Sequence, residues 1–268
     1  MENLEETFRL EVKTAPNAVR EQAEWCGVRP GMRILDAGCG PGLVASILNE
    51  MVQPGGEVVG IDFSEERIRH AEEHYGGNSG IQFKCRDLRK PVGEPGTFDL
   101  IWVRFVLEYF RSESPEIVKN LAASLKPGGL MCLLDLDYNC LTHYELNPEI
   151  EKILFKLMKA LEQKHNFDPY AGRKLYAFLY DLGFQDIQVN VLAHHLIYGY
   201  ASDSDFFNWY KKVEVASEKA EKLFEKYPGG GKAFLADFKN FFLDPRRFTY
   251  TPLILCKGVM SPSSPSTD

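Results

Sequence analysis

The sequence predicts an α/β fold in which strands alternate with helices. Residues 33–42 read Arg-Ile-Leu-Asp-Ala-Gly-Cys-Gly-Pro-Gly: a short apolar strand ends in Asp36, and glycines follow at every second position. Helical spacing starts at once in Leu43, Val44, Ile47 and Leu48. Strand-like apolar runs and helical runs then keep alternating as far as Asp135. A chain of 268 residues is long enough for one large α/β domain, or for a domain with a lid.

The glycine turn carries the first chemical expectation. Gly38, Gly40 and Gly42 lack a Cβ, which permits positive φ and lets a ligand lie against the backbone. Turn N–H groups and a helix N-terminus would face that ligand. Dinucleotide folds carry G-x-G-x-x-G, whereas the spacing here is G-x-G-x-G with Asp36 two positions ahead. A carboxylate there repels a pyrophosphate and suits an ammonium group. A glycine-rich turn that binds nothing is the competing reading. The string Asp36-Ala37-Gly38-Cys39-Gly40-Pro41-Gly42 resembles the first motif of the Rossmann-like (class I) S-adenosylmethionine-dependent methyltransferases, of the small-molecule type. The resemblance covers about residues 30–135 well, and later elements only by their order. It implies a Rossmann-like seven-stranded, mostly parallel sheet with an antiparallel last strand beside the fifth. It also implies S-adenosyl-L-methionine as cofactor, with Asp36, Gly38, Gly40 and Gly42 in its cradle.

Composition narrows the class further. A formal net charge of −7 argues against a nucleic-acid partner, since phosphate binding needs a basic patch. The six cysteines form no C-x-x-C pair, so neither a disulfide framework nor a metal site is expected. The acidic start lacks the pattern of a signal peptide, and no run reaches the ~18 apolar residues of a membrane span. A cytoplasmic protein with no membrane partner is the expectation.

Along the chain, residues 1–29 read as an N-terminal segment with a helix from Pro16 to about Cys26. In proteins of this resemblance that segment folds over the cofactor, and Arg20 would reach the methionyl carboxylate; an exposed helix arginine is the alternative. Glu57–Asp62 reads as the second strand. Asp62 lies about 20 residues past the glycines, where Rossmann-like folds hold ribose hydroxyls. Asp62 is not needed as a helix cap, because Ser64 fills that role. Phe63 would lie against adenine. By the resemblance, Asp87 would accept from the adenine amino group while the backbone of Leu88 donates to the ring. The fourth strand, residues 97–104, brings Arg104 beside the cofactor. Glu108 and Tyr109 read either as part of the substrate mouth or as a buried polar pair. Residues 113–125 are a helix closed by Leu125-Lys126-Pro127-Gly128-Gly129, and the fifth strand runs from Leu130 to Asp135.

Beyond that the family pattern thins. Helices are expected over 149–164, from Ala171, across 201–227 and over 232–242, with strands at about 186–198 and 248–257. The methyltransferase domain is placed at 30–258, with helical cap insertions near 138–170 and 200–244 and a disordered tail at 259–268. A connection as long as the second insertion favours a functional cap over an idle loop. Candidate substrate contacts are Tyr109, His143, Tyr144, Tyr170, Arg173 and His195. His194 and His195 adjoin on a strand, so at most one of them should line any one pocket. No catalytic constellation is visible. In-line methyl transfer requires alignment and exclusion of water, and a base only for a nucleophile that must lose a proton. The expected function is methyl transfer to a small-molecule acceptor. A methyltransferase of protein or RNA and a non-catalytic methyltransferase-like binding domain are the alternatives. The oligomeric state is left open.

Overall fold

Strand β1 (Arg33–Ala37) lies in the middle of the sheet, and Ile34, Leu35 and Ala37 are buried on its two faces. That is the burial of a parallel strand covered on both sides. The computed structural model describes residues 14–92, 97–138, 141–219 and 221–261. The expectations for residues 1–13, for Cys140 and for the tail at 262–268 lie outside them.

Before β1 comes α1 (Pro16–Cys26), which Gly27 ends in the left-handed conformation. After the glycine turn come α2 (Leu43–Val52), β2 (Glu57–Asp62), α3 (Glu65–Tyr75), β3 (Ile81–Cys85) and β4 (Phe98–Arg104). As expected, Ser64 caps α3 by accepting from the N–H of Arg67. A short 3-10 turn (Leu107–Tyr109), α4 (Ser114–Ala122) and β5 (Leu125–Leu136) follow. Then come α5 (Pro148–Lys164), a 3-10 turn (Gly172–Lys174), α6 (Leu175–Asp181), β6 (Gln185–Tyr198), α7 (Asp203–Lys219), the single turn α8 (Glu221–Phe224), α9 (Gly230–Leu243) and β7 (Phe248–Val259).

The sheet has seven strands in the order β3-β2-β1-β4-β5-β7-β6, and β7 runs antiparallel to both β5 and β6. This is the expected topology. The strand order reverses between β1 and β4, which sets a ligand crevice at the carboxyl ends of those strands. One face of the sheet packs on α4 and α6 through Ile117, Val118, Leu121, Leu175 and Leu179. The other packs on α1, α2 and α3 through Ala23, Cys26, Ala45, Leu48, Ile68 and Ala71.

Two boundaries differ from expectation. The Leu125–Gly129 stretch is not a helix end: it pairs with β4 and opens β5, with an irregularity opposite Phe98–Leu100. Pro and Gly read as breakers, but one bulge accommodates them in the sheet. Met260, expected in the tail, still exchanges backbone hydrogen bonds with Gly128 and Gly129.

The two helical insertions meet. Ile150, Ile153, Leu154, Leu157 and Met158 of α5 pack with Trp209 and Val213 of α7, Phe224 of α8, and Phe234, Phe238 and Phe242 of α9. The layer therefore has a core of its own. Arg247 stitches it to the sheet. This side chain is buried and donates to the carbonyls of Phe242, at the end of α9, and of Ile197, in β6. Burial pulls its pKa down, and only the more distant Asp205 and Asp244 oppose that shift.

Candidate functional site

The glycine turn is built as a shaped floor. Gly38 has φ +82°, and a Cβ there would come within 2.4 Å of Val106 Cγ2. Gly40 has φ +54°, and a Cβ there would meet nothing within 4 Å. Open space therefore lies over Gly40, which is what a cradle needs. The turn's amides do not face that space as expected. Those of Gly38 and Cys39 donate to Ile61 O, that of Gly40 to Asp62 Oδ2, and that of Gly42 to Cys39 O. A floor whose N–H groups are spent in this way offers little to a pyrophosphate, which such turns bind through free amides.

Asp36, on β1, is 2 % exposed, and its Oδ2 has no hydrogen-bond partner among the described residues. Burial pushes its pKa up to about 7; Arg104 opposes the shift and Asp62 adds to it. An orphaned buried carboxylate next to an open cradle is unusual, because such groups are normally satisfied. It fits an incoming ammonium group.

Asp62, at the end of β2, accepts from Gly40 N–H at 3.0 Å and from Ser64 N–H at 2.9 Å. It ties the turn to the start of α3, a role the sequence reading missed. Each of its oxygens retains a lone pair for ribose. Phe63 is 62 % exposed, as an adenine platform must be. Asp87 is held on both oxygens by Arg89, at 2.9 and 2.8 Å, and this pairing lowers its pKa. The Arg89 guanidinium also lies 5.9 Å from the Phe63 ring. Arg89 is thus a further member of that corner. Leu88 is buried, with its side chain in the core.

Arg104 ends β4 and is partly buried. Its Nε donates to Gln22 Oε1 at 3.0 Å, and its guanidinium lies 4.1 Å from the Phe105 ring. Burial pulls its pKa down to about 10, against Asp36 and Asp135, which hold it up. Arg20 pairs with Glu50 of α2. Gln22, also on α1, is the Arg104 partner and is 4 % exposed. A polar side chain in the helix's apolar stripe was the available signal.

At the carboxyl end of β5, Glu108 and Tyr109 part company. Glu108 is buried and its N–H donates to Asp135 Oδ2, while Tyr109 is 52 % exposed. Burial and the neighbouring Glu108 raise the Asp135 pKa well above the carboxylate range. Arg173 binds Asp137 through two bonds of 2.9 and 3.0 Å. The same guanidinium lies 4.8 and 4.7 Å from the rings of Tyr138 and Tyr170. Tyr144 points to solvent, 59 % exposed. His143 is instead packed against Trp209 and Phe241.

The expectation for the paired histidines is overturned. The β6–β7 register shifts between His194 and Ile197, and His195 has φ +51°. This bulge breaks the alternation of the strand. The two imidazole rings sit 3.9 Å apart, with His194 against Phe105 at 5.1 Å and His195 against Trp209 at 5.9 Å.

The fold defines a class of protein: a Rossmann-like domain whose glycine turn lies at the carboxyl end of β1, beside the point where the strand order reverses. Comparison with known proteins makes the class specific. Residues 34–129 match the family model described as a methyltransferase domain. The ubiquinone biosynthesis O-methyltransferase of Coxiella burnetii is 32% identical over 110 residues, which is 41% of this chain and 45% of that protein. The chain thus matches under half the length of that curated relative. The YcgJ protein of Bacillus subtilis superposes with a TM-score of 0.64 at 18% identity, covering 93% of this chain and all (100%) of that one. The [4+2]-cyclase SpnF has the same fold, with a TM-score of 0.57 at 17% identity, covering 92% of this chain and 81% of that one. The comparisons support a class I S-adenosylmethionine-dependent methyltransferase domain over residues 34–129. Among the described residues no helix is long and apolar enough to cross a membrane, and no group of three or more His, Cys, Asp or Glu is placed to hold a metal ion.

Proposed function

We propose that the protein transfers a methyl group from S-adenosyl-L-methionine to a small-molecule acceptor held between the sheet and the helical layer. The observations that carry this reading are the orphaned oxygen of Asp36, on the strand that leads into the glycine turn, and the open space over Gly40. Asp36 would take the ammonium group, the glycine turn the methionyl chain, Asp62 the ribose, and the corner of Phe63, Asp87, Leu88 and Arg89 the adenine. The cofactor would supply an activated methyl group on a sulfonium. The chain's own part is to fix the acceptor in line and exclude water. The aromatic helical layer, packed on Ile197 near the carboxyl end of β6, is suited to closing such a site. Support for a small acceptor comes from the O-methyltransferase relative. The same fold serves a cyclase in SpnF, so binding and turnover need separate measurement.

Calorimetric titration with S-adenosylmethionine and S-adenosylhomocysteine, with NAD and NADP as controls, tests the cofactor. Micromolar binding of the adenosyl ligands alone is expected. Asp62→Ala should weaken it by roughly 1.5–3 kcal/mol, the range for hydrogen bonds to a charged group. Gly40→Val should abolish it by filling the space above the turn. Binding of NAD in preference, or normal binding by Gly40→Val, would overturn the cradle assignment.

A further inference from the structure

The seam between β6–β7 and α7 holds polar groups that the cofactor cradle does not use. Thr249 and Thr251 lie two residues apart on β7, so they face the same side, and both are 0 % exposed. Thr249 is engaged: its Oγ1 lies 2.9 Å from His143 Nδ1. Thr251 is not, for its Oγ1 is buried with no hydrogen-bond partner among the described residues. His194 sits directly across from Thr251 in the β6–β7 ladder. On the far side of His195 lies Trp209, 2 % exposed, whose Nε1 is a second buried donor with no hydrogen-bond partner there. Left so, each group costs on the order of 1–3 kcal/mol. Both flank one histidine pair, which the β6 bulge has brought to one side.

The seam also abuts the cradle. His194 packs on Phe105, and Phe105 carries the Arg104 guanidinium, which interacts with Asp36. The walls are flat rings: Phe105, His143 and Trp209. The donor set is neutral, an indole N–H and a hydroxyl, with imidazoles that can either donate or accept. Such a set suits oxygen on a planar ring better than it suits a phosphate.

We infer that the seam bounded by His194, His195, Thr251 and Trp209 is the subsite for the acceptor's nucleophile, and that the acceptor is a planar molecule bearing an acidic hydroxyl, a phenol or an enol. The inference rests on the methyltransferase reading above and specifies its substrate class. When the hydroxyl reacts, its O–H bond breaks and the proton goes to an imidazole of the pair. The freed electron pair makes the new O–C bond, and the pair of the broken C–S bond returns to sulfur. Around the pair, Arg104 lies over Phe105, and His143 and Lys212 lie against Trp209.

The test uses full-length protein saturated with S-adenosylhomocysteine and titrated calorimetrically with phenol, catechol and 1,3-cyclohexanedione. Their methyl ethers serve as controls. At least one hydroxylated probe should bind while its ether does not. Thr251→Val and the double variant His194→Gln/His195→Gln should each weaken the probe by about tenfold or more, the loss of one to two hydrogen bonds. Their affinity for S-adenosylhomocysteine should stay within about twofold of wild type. Equal probe binding by the variants, or no binding of any probe at millimolar concentration, would overturn the subsite. Failure of wild type to bind S-adenosylhomocysteine in the first step would instead remove the methyltransferase reading, and the subsite with it.

Discussion

Phe238→Ala should melt the helical layer and leave the sheet standing. Phe238 is 1 % exposed, and its ring lies about 6 Å from those of Phe234, Phe241 and Phe242. Truncating a buried phenylalanine to alanine costs about 3–5 kcal/mol, because transfer free energy is lost and a cavity remains. That loss falls on a core whose buried, described members come almost wholly from α5, α7, α8 and α9, with Ile197 from the sheet. Urea unfolding should therefore split into two transitions, the first exposing the Trp209 environment. S-adenosylhomocysteine should still bind before the second transition, while turnover is lost. A single transition, with ligand binding lost in step, would make layer and sheet one cooperative unit and remove the case for a separable cap. This substitution is a cleaner probe than excising residues 200–244. Excision would strip the partners from Ile150, Leu154 and Leu157 of α5 and expose their apolar faces.

The fold was legible because its signals are local. Short apolar runs bounded by glycine and proline marked the strands, and Asp36 and Asp62 were legible because each ends one of them. What escaped depends on the third dimension. A period-two rule placed His194 and His195 on opposite sides, and one bulge reversed it. Proline and glycine at 127–129 announced a helix end, yet the chain was already in the sheet. Arg20 read either as the cofactor's arginine or as an exposed helix arginine, and Gln22 as part of the helix's apolar side. The helix's rotation against α2 sent Arg20 to Glu50 and Gln22 to Arg104. Arg247 gave no warning at all: its partners are carbonyls from α9 and β6, which only tertiary folding brings together. Local chemistry thus announced the residues proposed for the cofactor cradle, whereas those proposed for the acceptor come from distant segments and could not be read in advance.

Asp36→Asn should separate stability from binding, in opposite directions. The carboxyl has a pKa of about 7 in the folded chain, against 3.8 for the ordinary group. Between those values the native state keeps a proton that the unfolded chain has released. Stability must then fall as pH rises from about 4 to about 7 and level off above, a change on the order of 4 kcal/mol. Asparagine has no charge to desolvate, so the variant should lose that slope and, without ligand, resist urea better than wild type at pH 8. Binding runs the other way. An ammonium group needs the ionised carboxylate, so wild-type affinity for S-adenosylhomocysteine should fall by about tenfold between pH 8 and pH 6 as Asp36 takes up its proton. The variant should bind more weakly at pH 8, by roughly 1.5–3 kcal/mol, and show no such fall. Wild-type affinity that stays flat from pH 6 to 8, or a variant that binds as well as wild type, would detach Asp36 from the ligand. Both outcomes as expected would mean that the strain of an unpaired buried charge is retained because the cofactor relieves it.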